Sequence, residues 1–184
     1  MIKAIFLDID GTMVSFQTHH IPEDTKQALR EAKSKGVRIF VATGRHCTDI
    51  KDPGDLEFDG YITLNGAYCF IGKQVIFKKC IPPEDLSAFI RYGAETEPVP
   101  CFFVEADRVS ANRVNEYVAQ MMKLVQFEPR PIVSAHEFLN REVFQLTAFF
   151  PIEREPEIMK NLPGCTATRW YPTFADIVAH GVDK

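Results

Sequence analysis

The 184-residue chain has no long hydrophobic run and no basic run, and each absence removes a class of function. Near the N-terminus only four apolar residues, Ala4 to Leu7, separate Lys3 from Asp8. A signal-peptide core or a membrane span needs a much longer stretch, so a cytoplasmic protein with no membrane partner is expected. With a formal net charge of −4 and no cluster of lysines or arginines, the chain also lacks the electrostatic footprint of a nucleic-acid binder. A small anionic ligand would need cations placed one at a time.

Cysteine and histidine offer no framework either. Cys47, Cys69, Cys80, Cys101 and Cys165 are odd in number and well separated, which suits neither a disulfide scaffold nor a zinc site. The five histidines show no HxxxH or HExxH spacing. We read the cysteines as small buried hydrophobes or inert thiols, and His19 and His20 as solvated loop residues without a role. Internal repeats and low-complexity linkers are absent, and nothing in the sequence sets an oligomeric state.

What is present is an ordinary globular composition, 46% hydrophobic and 25% charged, arranged in two rhythms. Ile2 to Asp8 is a nearly continuous apolar run, the pattern of a strand covered on both faces. Pro22 then opens a helix with Thr25, Ala28, Leu29 and Ala32 on one stripe, and Gly36 stops it. "VRIFVAT" (37–43) and "DGYITLN" (59–65) read as second and third strands. This alternation predicts a doubly wound α/β unit with a parallel sheet. From about residue 66 the pattern becomes α+β. A hairpin is expected around Gly72-Lys73, with helices after Pro82-Pro83, near 115–124 and near 157–162, and strand-like segments between them. The predicted organisation is a core of residues 1–79 and 170–184 interrupted by an α+β insert of residues 80–169.

The motifs fall at the strand ends of the first rhythm. In such sheets the ligand crevice lies outside the carboxyl ends of the strands, and Asp8 stands at the first of these. A carboxylate there can attack phosphorus and form an aspartyl-phosphate if a cation offsets the meeting charges. Asp10, two residues on, is placed to protonate the leaving oxygen and then deprotonate water, and Gly11-Thr12 permits the sharp turn between strand and loop. An isolated DxD also occurs as a solvated turn at a strand end. Here, however, the second strand ends in "VATGR", offering the Thr43 hydroxyl, the Gly44 amide and Arg45 as a phosphate cradle. The third ends in "TLNGAY" with Asn65 and Gly66, and the late "GVDK" adds Lys184.

In this order the motifs DxDGT, ATGR, NGA and GVxK resemble the haloacid dehalogenase superfamily, specifically Cof-type sugar-phosphate phosphatases with a large cap inserted after the third strand. The resemblance covers essentially the whole chain. It implies a magnesium-dependent phosphatase acting on a small phosphorylated metabolite. Asp8 would be the nucleophile and Asp10 the acid/base, both also serving magnesium. Thr43 and Gly44 would bind the phosphoryl group, Lys184 would steady its charge, and Arg45, Asn65 and Gly66 would be auxiliary contacts. The insert would act as a substrate-selecting cap. Most of its aromatics are expected in its core, with Trp170 and Tyr171, at the expected return hinge, the exceptions.

One departure stands out. Members of that superfamily carry a later GDxxND segment that completes the magnesium site on a fourth strand, and this chain has none. Asp176 and Asp183 lack that context and are read as structural. Two other readings therefore stand beside the phosphatase: an inactive fragment that only binds, and a phosphotransferase or mutase of the same fold.

Overall fold

A computed structural model describes residues 2–15, 17, 18, 20–50, 56–125 and 127–183. Their contacts divide the chain into two units, one running to Lys78 and resuming at Asp183, the other spanning Lys79–Val182.

The first unit holds β1 (Ala4–Leu7), α1 (Glu23–Ser34), β2 (Arg38–Ala42), β3 (Gly60–Thr63), β4 (Tyr68–Ile71) and β5 (Gln74–Lys78) in a sheet of order β1-β2-β3-β4-β5. The first three strands are parallel, with Leu7 beside Val41 and Val41 beside Tyr61. The last two turn back antiparallel through the expected hairpin, where Gly72 takes φ +55°. Glu23 and Asp24 in the first turn of α1 and Lys33 in its last complement the helix dipole. Leu29 of α1 packs into a core with Ile39, Val41, Ile9, Met13, Ile21 and Leu56.

That core covers one face of the sheet. Strand alternation sends Phe6, Phe40, Ile62, Cys69, Ile71 and Phe77 to the other. Among the described residues no element covers β1 on this side, where Phe6 is 57% exposed. The reason is a shortage of elements. Among the described residues this unit contributes one α-helix, and it packs on the Ile39–Val41 side.

The second unit holds α2 (Pro83–Glu95), β6 (Cys101–Val104), β7 (Val109–Ala111), α3 (Glu116–Val125), β8 (Gln145–Phe149), α4 (Glu155–Met159), β9 (Cys165–Tyr171) and β10 (Phe174–Ala179). Its antiparallel sheet has the order β7-β6-β8-β10-β9. Leu86, Phe89 and Ile90 of α2 meet Phe103, Leu146, Ile177 and Phe138 in one apolar core. Here the predicted boundary needs correction. Residues 170–182 were expected with the first unit, yet β9 and β10 form a hairpin that places β10 inside the second sheet, between β8 and β9. All six residues of β10 are buried, Asp176 among them on hydrogen bonds from Gln145 and Thr147, and a strand buried on both faces requires an interior position. Trp170 and Tyr171 accordingly lie in β9 rather than at a hinge, with the half-exposed Trp170 edge-on to Phe174 at 4.9 Å.

Candidate active site

The carboxyl end of β1 runs directly into a tight turn. Gly11 takes φ +76°, a conformation that suits glycine because it has no side chain. The turn closes with Val14 N donating to Ile9 O at 2.8 Å and Gly11 N donating to Val14 O at 2.9 Å. Ile9 and Met13 are buried and anchor it from below. Asp8 and Asp10 alternate with these anchors and remain partly accessible. The Asp8 Oδ1 accepts the Ile9 amide at 2.9 Å, which sets the carboxylate against the turn.

Asp10 has a partner that spacing does not reveal. Arg45, 35 residues away, donates from Nε to Oδ2 at 2.8 Å and from Nη2 to Oδ1 at 2.6 Å, a two-pronged grip. Its third nitrogen, Nη1, donates to the Asp49 carbonyl at 3.0 Å. Both side chains are largely shielded, 14% exposed for Arg45 and 25% for Asp10. Arg45 was expected as a phosphate contact; in the structure its guanidinium holds Asp10. Each Asp10 oxygen still has a second lone pair, so the grip orients the carboxylate without using it up.

The ends of β2 and β3 complete this edge. Thr43 is fully buried, and its Oγ1 accepts the Arg45 amide at 3.1 Å while its carbonyl accepts the Asn65 amide at 3.2 Å. The hydroxyl thus first serves the loop that aims Arg45. Gly44 permits close approach: a Cβ there would lie 2.9 Å from the Asn65 side-chain oxygen, which would have to shift. Leu64 and Asn65 sit in the left-handed region at φ +54° and +53°. Gly66 follows at φ +96°, where a Cβ would collide with the Asp183 carbonyl. The returning chain therefore reaches the end of β3 at Asp183. Lys184, expected to steady the phosphate, lies outside the described residues.

Sequence reasoning missed the buried residues behind Arg45. His46 caps the short 3₁₀ turn Cys47–Asp49, its Nδ1 accepting the Thr48 amide at 3.2 Å. Asp49 is buried beside it and offers its backbone carbonyl to Arg45. A lone histidine and a lone aspartate carry no motif, so only the folded loop identifies their task. Four of the five cysteines are not activated nucleophiles: burial pushes the Cys47, Cys69, Cys101 and Cys165 thiols up from their ordinary value.

Magnesium fits this donor set in kind but not in number. Asp8 and Asp10 supply the hard oxygens it prefers. Among the described residues, however, no group of three potential ligands gathers anywhere. These residues alone do not make a magnesium cage. Nor is any helix among them long and apolar enough to cross a membrane.

An aspartate pair at the end of a parallel strand, beside a Thr-Gly-Arg loop, defines a hydrolase class of α/β proteins. The chain belongs to the haloacid dehalogenase-like hydrolase family, whose sequence model matches residues 5–184, and by class it is a phosphatase. It is similar to BT4131, a HAD subclass IIB sugar phosphatase, with 44% identity and a TM-score of 0.89 over 98% of this chain and 71% of that one. BT1666 from Bacteroides thetaiotaomicron, a phosphatase of the same superfamily, shares 34% identity with a TM-score of 0.86 over 100% of this chain and 69% of that one. YkrA of Bacillus subtilis, whose name assigns it to the phosphatases, is 27% identical over 99% of this chain and 70% of its own length. Each of these relatives is longer than the chain described.

Proposed function

We propose that the chain carries the phosphoryl-transfer site of an enzyme that hydrolyses small phosphomonoesters, sugar phosphates among them, through an aspartyl-phosphate. The observation that carries this reading is the juxtaposition of Asp8, the Asp10–Arg45 pair and Thr43–Gly44 at adjacent ends of parallel strands. Neighbouring strands lie about 4.8 Å apart, so one phosphate spans the groups on β1 and β2.

The reaction divides into two displacements. An Asp8 oxygen attacks phosphorus as the bond to the leaving oxygen breaks, and that oxygen takes a proton from Asp10. Water then attacks the aspartyl-phosphate, giving its proton to Asp10 while the bond from phosphorus to Asp8 breaks and inorganic phosphate leaves. Arg45 keeps Asp10 aimed through both steps, and the Gly44 amide approaches the phosphoryl oxygens closely. Magnesium, when bound, supplies charge neutralisation between the Asp8 carboxylate and the incoming phosphate. Asp8 and Asp10 would hold it, through the hard carboxylate oxygens it prefers. The sugar-phosphate preference rests on the likeness to BT4131.

The test is Asp8→Asn. Phosphate release should fall by more than the ~10²- to 10⁴-fold associated with losing an acid/base alone, and acid-quenched protein should no longer carry a phosphoryl group by mass spectrometry. Retention of a tenth of the rate would remove Asp8 from the nucleophile's role. A second reading is a chain that only binds, since no group of three potential metal ligands gathers among the described residues. Under it, wild-type protein in magnesium would bind phosphate without releasing it from any ester.

A further inference from the structure

Arg45 is held in two parts. Its backbone belongs to the sheet edge, where the amide donates to Thr43 Oγ1 at 3.1 Å and the carbonyl accepts the Leu64 amide at 3.3 Å. Its guanidinium belongs to the turn that follows, through the bond from Nη1 to the Asp49 carbonyl. That carbonyl is only as fixed as the turn Cys47–Asp49, and His46 supports the turn twice. The His46 carbonyl accepts the Asp49 amide at 2.9 Å. The ring Nδ1 accepts the Thr48 amide at 3.2 Å, with the Thr48 hydroxyl 2.8 Å from the same nitrogen. An amide hydrogen cannot turn away, so Nδ1 carries no proton and the ring is the neutral form with its hydrogen on Nε2. His46 is 4% exposed, and packing holds the ring in this orientation.

We propose that His46 is a positioning residue for the acid/base: its unprotonated Nδ1 fixes the turn, the Asp49 carbonyl of that turn fixes the Arg45 guanidinium, and the guanidinium aims Asp10. The proposal deepens the phosphoryl-transfer reading and rests on Asp10 being the acid/base of that site. A guanidinium gripped only by the carboxylate it aims can swing together with it. A third bond, to a carbonyl set by its own turn, fixes the plane of the pair. Loss of the ring leaves the Arg45 backbone in place on Thr43 and Leu64, so it should appear as lost aim before lost fold. The chemistry also says which side chains can stand in. Asparagine, a strong N-cap, offers an acceptor oxygen to the same amide, whereas phenylalanine fills the space and accepts nothing.

Nitrogen NMR of the 184-residue protein near neutral pH reads the ring directly. One histidine should show an unprotonated Nδ1 and a protonated Nε2, and its signal should be missing from His46→Asn. A protonated Nδ1 on His46 would overturn the proposal without any further variant. The Arg45 Nε–H, identified by its loss in Arg45→Lys, should exchange with solvent about five- to tenfold faster in His46→Phe, the scale of a lost cap. In His46→Asn it should stay within about twofold of wild type. Turnover should follow the same order: kcat for an alkyl phosphate falls about tenfold or more in His46→Phe with KM little changed, nitrophenyl phosphate loses far less, and His46→Asn recovers most of the loss. Wild-type exchange at Arg45 in His46→Phe, or equal losses in the two His46 variants, would overturn the proposal. A wild-type protein without turnover would count against the phosphatase reading instead, and the Arg45 exchange would then decide this proposal alone.

Discussion

Replacing Arg45 with alanine should cost both stability and rate, in amounts that follow from its three hydrogen bonds. The two bonds to Asp10 are short and charge-assisted, and the third holds the Asp49 carbonyl. Exposed ion pairs are worth about 0–1 kcal/mol, whereas breaking a buried pair costs about 3–5 kcal/mol. With both partners less than a third exposed, the burial term dominates, and we expect a loss of about 2–3 kcal/mol in the urea unfolding of the first unit. Arg45→Lys keeps the charge but not the fork or the reach to Asp49, and should recover less than half of that. A double-mutant cycle with Asp10→Asn isolates the pair and should return a coupling of at least about 1.5 kcal/mol. In turnover, a misaimed Asp10 should slow hydrolysis of an alkyl phosphate by about 10²-fold. Nitrophenyl phosphate, whose leaving group needs little protonation, should suffer far less. A coupling below about 0.5 kcal/mol, or equal rate losses with the two substrates, would refute the assignment of Arg45 as the positioner of Asp10.

Other consequences can be measured separately. Gly66→Ala forces a Cβ onto the Asp183 carbonyl at a positive φ and should destabilise the first unit by about 1–3 kcal/mol; an unchanged urea midpoint would contradict that packing. Burial, reinforced by the Asp85 charge and its hydrogen bond, pushes the Cys165 thiol up to about 12 from 9.0. Its neutral form is favoured by folding, so this contribution is complete below about pH 9 and is lost as pH rises from there through about pH 12. Wild type should therefore lose more stability than Cys165→Val between about pH 8 and pH 10.5, and parallel alkaline curves would exclude the effect. Magnesium should bind this chain only weakly, with a dissociation constant in the millimolar range or above; micromolar affinity by calorimetry would reveal ligands beyond Asp8 and Asp10.

Local patterns reported local structure well. The apolar runs marked β1, β2 and β3, Gly36 ended α1, and Gly72 turned the hairpin, because each depends on a few neighbouring residues. The Asp10–Arg45 grip was illegible for the opposite reason: it joins loops 35 residues apart, and neither partner's spacing encodes the other. β10 misled because "FADIVA" satisfies a buried strand in either sheet, and only the antiparallel pairing with β8 and β9 decides which. His46 and Asp49 gave no signal because their role is to brace a loop that exists only once Arg45 has reached across.

The contact between Gly66 and the Asp183 backbone also imposes an order on synthesis. The second unit is one uninterrupted stretch, Lys79–Val182, and can complete its sheet as soon as β10 clears the ribosome. The first unit cannot. Its β3 end waits for a residue made only after the whole second unit, which at about 5–20 residues per second is a delay of roughly 5–20 s. During that interval the left-handed turn at Leu64 and Asn65 has no backbone of Asp183 against it. Released chains that end before Asp183 should therefore show protease-resistant second units beside first units still open to cleavage near Gly66, a site that the 184-residue chain should protect.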